Sequence, residues 1–208
     1  EMPYTAAELS RFKREVLDAN KLTDAYIRPV AWRGSEQMGV SAQLTQTHMA
    51  IAAWDWGSYF SAEKREQGIN LCMAQYRRPA PDMAPTQAKA AGLYMICTIS
   101  KHNAEAQGYD DALMLDYRGY VAEATGANLF LIKDGVIHTP TPDCFLNGIT
   151  RQTVIKLAKD KGYELIERHI KPEELGDFEE CFLTGSAAEV TAVGSIADYK
   201  YTVGPVVR

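Results

Sequence analysis

Residues 112–116, 119–124 and 129–133 are three short apolar runs with only tight-turn spacings between them. The third ends in Lys133-Asp134-Gly135, an Asp-Gly pair of the kind that tolerates positive φ and turns a strand straight back on itself. Neighbouring strands this close in sequence must pair antiparallel, because a parallel pair needs a crossover of a dozen or more residues. Helical patterns stand on either side. Thr5-Ala6-Ala7-Glu8 is a capping-box signature, and Leu9, Phe12, Val16 and Leu17 follow it at helical spacing, so residues 5–19 read as an amphipathic helix ended at Asn20. Residues 25–33 and 48–56 read as aromatic, β-branched strands, the first held to an edge or bulged position by Pro29. A short helix over 61–67, a strand over 69–77, helices over 91–107 and 149–161, and strands over 163–170 and 180–185 complete the pattern. Strands alternate irregularly with few helices, which is an α+β arrangement rather than a doubly wound βαβ repeat.

With 208 residues the chain is long enough for one large domain or a domain and a half. No apolar run reaches membrane-spanning length. A formal net charge of −5 lacks the basic field that phosphate backbones require, which excludes nucleic acid as a partner class. The four cysteines and four histidines are scattered, with no C-x-x-C and no histidine pair at ligand spacing. The reading is therefore of unpaired thiols in a reducing, cytoplasmic compartment, with no metal site. The start Glu1-Met2-Pro3 shows neither the basic nor the apolar region of a signal peptide.

Four features carry chemistry. Lys89 lies among small residues in Gln87-Ala88-Lys89-Ala90-Ala91-Gly92, with Tyr94 just beyond. A lysine so placed can be desolvated, its pKa lowered and its amine made nucleophilic, although taken alone it is more often a snorkelling lysine at a helix start. Ile149-Thr150 opens a helix, where free N–H groups and the positive dipole end favour an anion. Thr184-Gly185-Ser186-Ala187-Ala188 follows an apolar strand and can present backbone N–H groups and a hydroxyl. Each of the last two is an ordinary cap or turn when met singly. Glu123, at a strand end among small residues with no basic neighbour in sequence, needs a cationic partner unless it is a solvated edge residue.

A nucleophilic lysine, a lone carboxylate and two anion cradles are the parts of a pyridoxal-phosphate site. Residues 85–94, 119–130, 147–151 and 183–189 also occur in the order seen in class IV, fold-type IV pyridoxal-phosphate enzymes, which this sequence resembles. The resemblance implies that Lys89 carries the cofactor in Schiff-base linkage, that Tyr94 supports the phenolic oxygen and that Glu123 pairs with the pyridine nitrogen. It implies phosphate contacts from Ile149, Thr150 and Ser186, ring packing by Leu146, and further cofactor contacts from Gly126, Asn128 and Gly185. The amino half, with Tyr26-Ile27-Arg28-Pro29, Met38-Gly39-Val40 and Trp54-Asp55-Trp56-Gly57-Ser58-Tyr59, is similar to branched-chain amino-acid aminotransferases. In that family the pair matching Tyr26 and Arg28 serves the substrate, the arginine taking the side-chain carboxylate of glutamate. Met38, Val40, Trp56 and Tyr59 fit an apolar side-chain pocket, and Ser186 and Ala187 face the substrate.

The implied activity is transamination of leucine, isoleucine and valine with 2-oxoglutarate, in a homodimer or higher homo-oligomer whose partners are small amino acids and 2-oxo acids. Aminodeoxychorismate lyase and D-amino-acid or amine transaminases share the lysine, the glutamate and the cradles, and a non-catalytic fragment is a further alternative. The implied architecture is two-domain: a partial small domain over 1–77 without its amino-terminal part, a connector over 78–85, and a large cofactor-binding domain over 86–208 without its last helix. One departure concerns Ala127, which stands where the family commonly has a second acidic residue.

Overall fold

The computed structural model describes residues 2–57 and 60–208 and divides into two compact units, 1–59 and 60–208. In the first unit α1 (Ala6–Asn20) starts at the expected capping box: Thr5 Oγ1 accepts from the Glu8 N–H, and Glu8 Oε2 accepts from the Thr5 N–H at 2.8 Å. It ends where Lys21 takes a left-handed conformation. β1 (Tyr26–Arg33) and β2 (Thr47–Trp54) pair antiparallel in full register, Tyr26 opposite Trp54. Pro29 sits in this two-stranded sheet, where the missing N–H is tolerated at an edge.

The second unit is built on α2 (Ala62–Gln67), β3 (Ile69–Met73), α3 (Tyr94–Ala106), β4 (Asp111–Leu115), β5 (Val121–Ala124), β6 (Asn128–Lys133), β7 (Val136–Pro140), α4 (Ile149–Asp160), β8 (Leu165–Arg168), β9 (Glu180–Gly185), β10 (Glu189–Ile196) and β11 (Tyr199–Lys200). The Asp134-Gly135 turn between β6 and β7 has positive φ at both residues, 51° and 76°. β10, β3 and β4 run parallel, β4, β5, β6 and β9 antiparallel, and β9 pairs back onto β10. The sheet thus closes on itself. β6 gives one edge to β9 and divides the other between β5 at its start and β7 at its end, so β7 and β8 leave the ring as a parallel flap.

Closure explains the alternation along the strands. Leu71, Leu113, Leu129, Leu131, Leu183 and Val193 turn into one buried core. Phe130, Ile132 and Phe182, one residue out of phase, pack outside under Val154, Ile155 and Ala158 of α4, with Phe130 and Phe182 stacked at 4.8 Å. On another outer face Cys72 and Ala112 meet Ala104 of α3. The division between units falls at 59/60 rather than at 77, because β3 is inserted between β10 and β4 and belongs wholly to the closed sheet. β3 also stops at Met73, and the strand expected over 163–170 is confined to Leu165–Arg168. Leu71 is fully buried in the core, so Leu71→Ala should cost the second unit about 2–5 kcal/mol in denaturant unfolding; a change under about 1 kcal/mol would place it outside a packed core.

Candidate active site

Glu123, Asn128 and Thr184 are cross-strand neighbours on β5, β6 and β9. All three are buried. By alternation they share the outer face with Phe130 and Phe182, so they form a polar row on the outside of the closed sheet. Asn128 Nδ2 donates to Glu123 Oε2 at 3.1 Å and to the Leu146 carbonyl at 3.0 Å, and its Oδ1 accepts from the Gly148 N–H at 3.2 Å. A Cβ on Gly148 would stand 2.4 Å from Asn128 Oδ1, so only glycine lets the start of α4 come this close. The expected solvated alternative for Glu123 is overturned. Its partner is Arg78, whose Nε lies 3.4 Å from Glu123 Oε1, both side chains being buried. Arg78 comes from the stretch read as a connector, and no local signal marks it: an arginine doublet before a proline looks like surface charge.

Burial raises the Glu123 carboxyl to about 8, even though Arg78 and Lys89 both pull it down. The two cations thus leave the negative form only partly compensated. Two buried polar atoms of this face, Arg78 Nε and Thr184 Oγ1, have no hydrogen-bond partner. The start of α4 has no side-chain cap, Gly148 being its N-cap, and Ile149 is exposed. A site with an under-compensated buried carboxylate, an orphaned hydroxyl and an open helix N-terminus fits a planar cation that also carries an anionic group, as a protonated pyridoxal phosphate does.

Lys89 is exposed, in line with the snorkelling alternative, its alanine neighbours being too small to cover it. Its Nζ donates to the Tyr94 hydroxyl at 2.7 Å, at the first residue of α3. Leu146 and Thr150 are half-buried; Ser186 is an exposed turn residue between β9 and β10, and Ala187 follows it half-buried. Gly185 lies against the Gly126 carbonyl and Ala127, so the turn before β6 and the turn after β9 are neighbours. Ala127 is buried in the apolar core, which leaves no polar function there.

In the first unit Tyr26 packs on Trp54 and Trp56 at centroid distances of 5.2 and 4.7 Å. Arg28 Nη2 donates to the Tyr26 hydroxyl at 3.3 Å, so the two expected substrate residues are brought together. Met38 and Val40 are exposed on the loop between β1 and β2. Tyr59 lies outside the described residues.

Asp116, Asp143 and Cys144 bring donor atoms within 4.8 Å of one another, in the manner of metal ligands. Arg118 stands among them, its Nη2 2.6 Å from Asp116 Oδ2 and 2.8 Å from Asp143 Oδ2. A guanidinium therefore supplies the cation there.

Known proteins match this arrangement along nearly the whole chain. The model of the class IV amino-transferase family matches residues 1–196. A probable branched-chain-amino-acid aminotransferase of Rickettsia conorii is 44% identical over 195 residues, covering 94% of this chain and 66% of the relative. The crystal structure of the Escherichia coli branched-chain amino acid aminotransferase superposes with a TM-score of 0.95 at 40% identity, over 100% of this chain and 70% of that one. An aminotransferase from Brucella abortus bound to the co-factor PLP gives a TM-score of 0.86 at 30% identity, over 100% of this chain and 73% of that one. The fold is that of a fold-type IV aminotransferase. The chain belongs to the class IV aminotransferase family, whose members use pyridoxal phosphate, and it spans just under two thirds of the length of the curated relatives it matches.

The raised Glu123 carboxyl has a measurable consequence in the cofactor-free protein. The folded value, about 8, lies above the ordinary 4.5. Its contribution to stability is therefore fully present below the unfolded value and is lost as pH rises through about 8. Glu123→Gln carries no such dependence, so its stability relative to wild type should rise between about pH 5 and about pH 8.5 in denaturant titrations. A difference that stays flat over this range contradicts a buried, uncompensated carboxyl.

Proposed function

We propose that the protein transfers amino groups between branched-chain L-amino acids and 2-oxoglutarate with pyridoxal phosphate as cofactor. The observation that carries the reading is the buried Glu123 with Lys89 close enough to act on its charge. The names of the relatives support the branched-chain substrate class.

The cofactor, when bound, supplies an electron sink for the bonds at the substrate α-carbon. Glu123 holds the protonated ring nitrogen and is itself oriented by Arg78 and by the Asn128 amide. The N–H groups of Ile149 and Thr150, with the Ser186 hydroxyl, hold the phosphate at the start of α4. Leu146 packs on the ring, and Gly126 and Gly185 allow close backbone approach at the paired turns. Lys89 would hold the cofactor covalently and its amine, positioned by the hydrogen bond to the Tyr94 hydroxyl, would serve as the base that moves the substrate α-proton. Water is kept from Glu123 by the strands and by α3.

Tyr26 and Arg28 read the substrate side chain, with Arg28 taking the second carboxylate of glutamate. The resemblance assigns apolar substrate contact to Met38, Val40, Trp56 and Tyr59 in the first unit and, separately, substrate contact to Ser186 and Ala187 in the second. A homodimer or higher homo-oligomer is the assembly that the family resemblance implies, and the free, buried Cys72, Cys97, Cys144 and Cys181 fit a reducing, cytoplasmic setting. Among the described residues no helix is long and apolar enough to cross a membrane.

Two measurements on the full-length protein test this. Borohydride reduction and peptide mapping should place the pyridoxyl label on Lys89, and Lys89→Ala should abolish transamination; a label on another lysine removes the assignment. Arg28→Leu should weaken the glutamate half-reaction by tens-fold or more while sparing leucine, since an unpaired, partly desolvated carboxylate costs about 2–5 kcal/mol. Equal loss for both substrates would move Arg28 to the shared α-carboxylate and favour another member of the family.

A further inference from the structure

Residues 85–90, which carry Lys89, run in turns rather than in a helix or strand. Their backbone bonds are local: the Thr86 N–H donates to the Ala84 carbonyl and the Ala88 N–H to the Pro85 carbonyl, each at 2.8 Å. Such bonds shape the segment without fixing it to the sheet. The fixing comes from side chains. Gln87 Nε2 donates to the Pro142 carbonyl at 2.8 Å and to the Phe145 carbonyl at 3.2 Å, while Thr86 Oγ1 reaches the Asp143 carbonyl only at 3.5 Å.

All three carbonyls belong to the loop that carries Leu146 and delivers Gly148 to the start of α4. The far side of this loop is already held, Asp143 by Arg118 and His169, and the Leu146 carbonyl by Asn128. Gln87 therefore closes a clamp. One amide nitrogen directs both hydrogens to carbonyls that flank Asp143 and Cys144, a geometry that a side chain with a single donor hydrogen cannot reproduce. Gln87 is itself exposed, so burial gives it no reason to be there.

We propose that Gln87 is a positioning residue for the Lys89 site: it fixes the lysine-bearing segment against the loop that presents Leu146 and the anion-binding start of α4. The role rests on the reading of Lys89 as the cofactor-bearing lysine. Gln87→Glu is the decisive variant, because it keeps the shape but turns the donor into a carboxylate facing two carbonyl oxygens. Gln87→Lys restores a donor with several hydrogens.

Both variants should be compared with wild type as the full-length protein. The readouts are global unfolding, amide hydrogen exchange of residues 142–148 without cofactor, and equilibrium affinity for pyridoxal phosphate. An exposed site should leave global unfolding nearly unchanged. In Gln87→Glu, exchange over 142–148 should quicken and pyridoxal phosphate should bind about tenfold more weakly, as two lost hydrogen bonds to a half-solvated loop imply; Gln87→Lys should recover most of both. Unchanged exchange and affinity in Gln87→Glu, or equal damage in the two variants, overturns the role of Gln87 alone. A wild-type protein that fails to bind pyridoxal phosphate overturns the cofactor reading and the role of Gln87 with it.

Discussion

Strand β9 pairs with β6 along one edge and with β10 along the other, and the rest of the second unit depends on that double pairing. Without it β6 and β10 would each expose a row of unpaired backbone groups, and the leucines of the inner face would have no enclosed volume to fill. With it, every strand of the ring has one face committed to the core. Side chains of the opposite parity are then committed to the outside, under α3 and α4. Glu123 is on that outer face because it pairs with Met114 and Asn128, each one residue out of phase with the core-facing Leu113 and Leu129; an irregularity in the β4–β5 pairing lets Val121, two residues earlier, still turn inward.

The outer row puts a carboxylate where water is scarce, and the energetics turn on how it is compensated. Arg78 is close but poorly aligned, since its Nε lies 3.4 Å from the carboxylate and makes no hydrogen bond. Asn128 donates one hydrogen and gives the other to the Leu146 carbonyl. The carboxyl therefore stays raised, at about 8. A better aligned Arg78 would satisfy Glu123 internally; the imperfect compensation leaves the carboxyl free to take the further cationic partner proposed for it. At the Asp116, Asp143 and Arg118 cluster, by contrast, the guanidinium makes short bonds to both carboxylates, and burial of Asp143 is outweighed by His169 and Arg118, which hold its carboxyl below the ordinary value. That cluster ties loops together.

Much of this was legible in the sequence wherever local physics decides. The capping box of α1, the Asp-Gly turn after β6 and the opening of α4 at Ile149 depend on a few adjacent residues, and each is where the sequence puts it. Tyr26 meets Trp54 and Trp56 because the hairpin register places Tyr26 opposite Trp54. What depended on distant pairing was illegible. β10 carries Glu, Thr, Gly and Ser and has no strand pattern of its own; it is held by β9 and β3 on either side. β3 reads as part of the amino-terminal domain until its parallel pairing with β4 and β10 is seen. Arg78 and Glu123 are separated by α3 and β4, and no residue near either announces the other. The setting of Lys89 is open in the sequence, since small neighbours are compatible both with enclosure and with a gap; in the structure they leave it exposed.

The contrast between Glu123 and Lys89 is what the roles proposed for them call for. A carboxylate that holds a ring nitrogen has one position throughout, and a strand in a closed sheet, with φ and ψ fixed by pairing on both sides, gives that position with the least freedom. A lysine that anchors a cofactor and then moves a proton has to occupy at least two positions of its amine, with the same backbone beneath. An irregular segment suits this, because its side chain is free of the packing that would lock one rotamer, while side-chain bonds to the loop before α4 limit how far the backbone can drift. Tyr94, at the first turn of α3, then offers the amine a fixed point at 2.7 Å that does not travel with it. The exposed position of Lys89 and the buried position of Glu123 are each compatible with the role proposed for that residue.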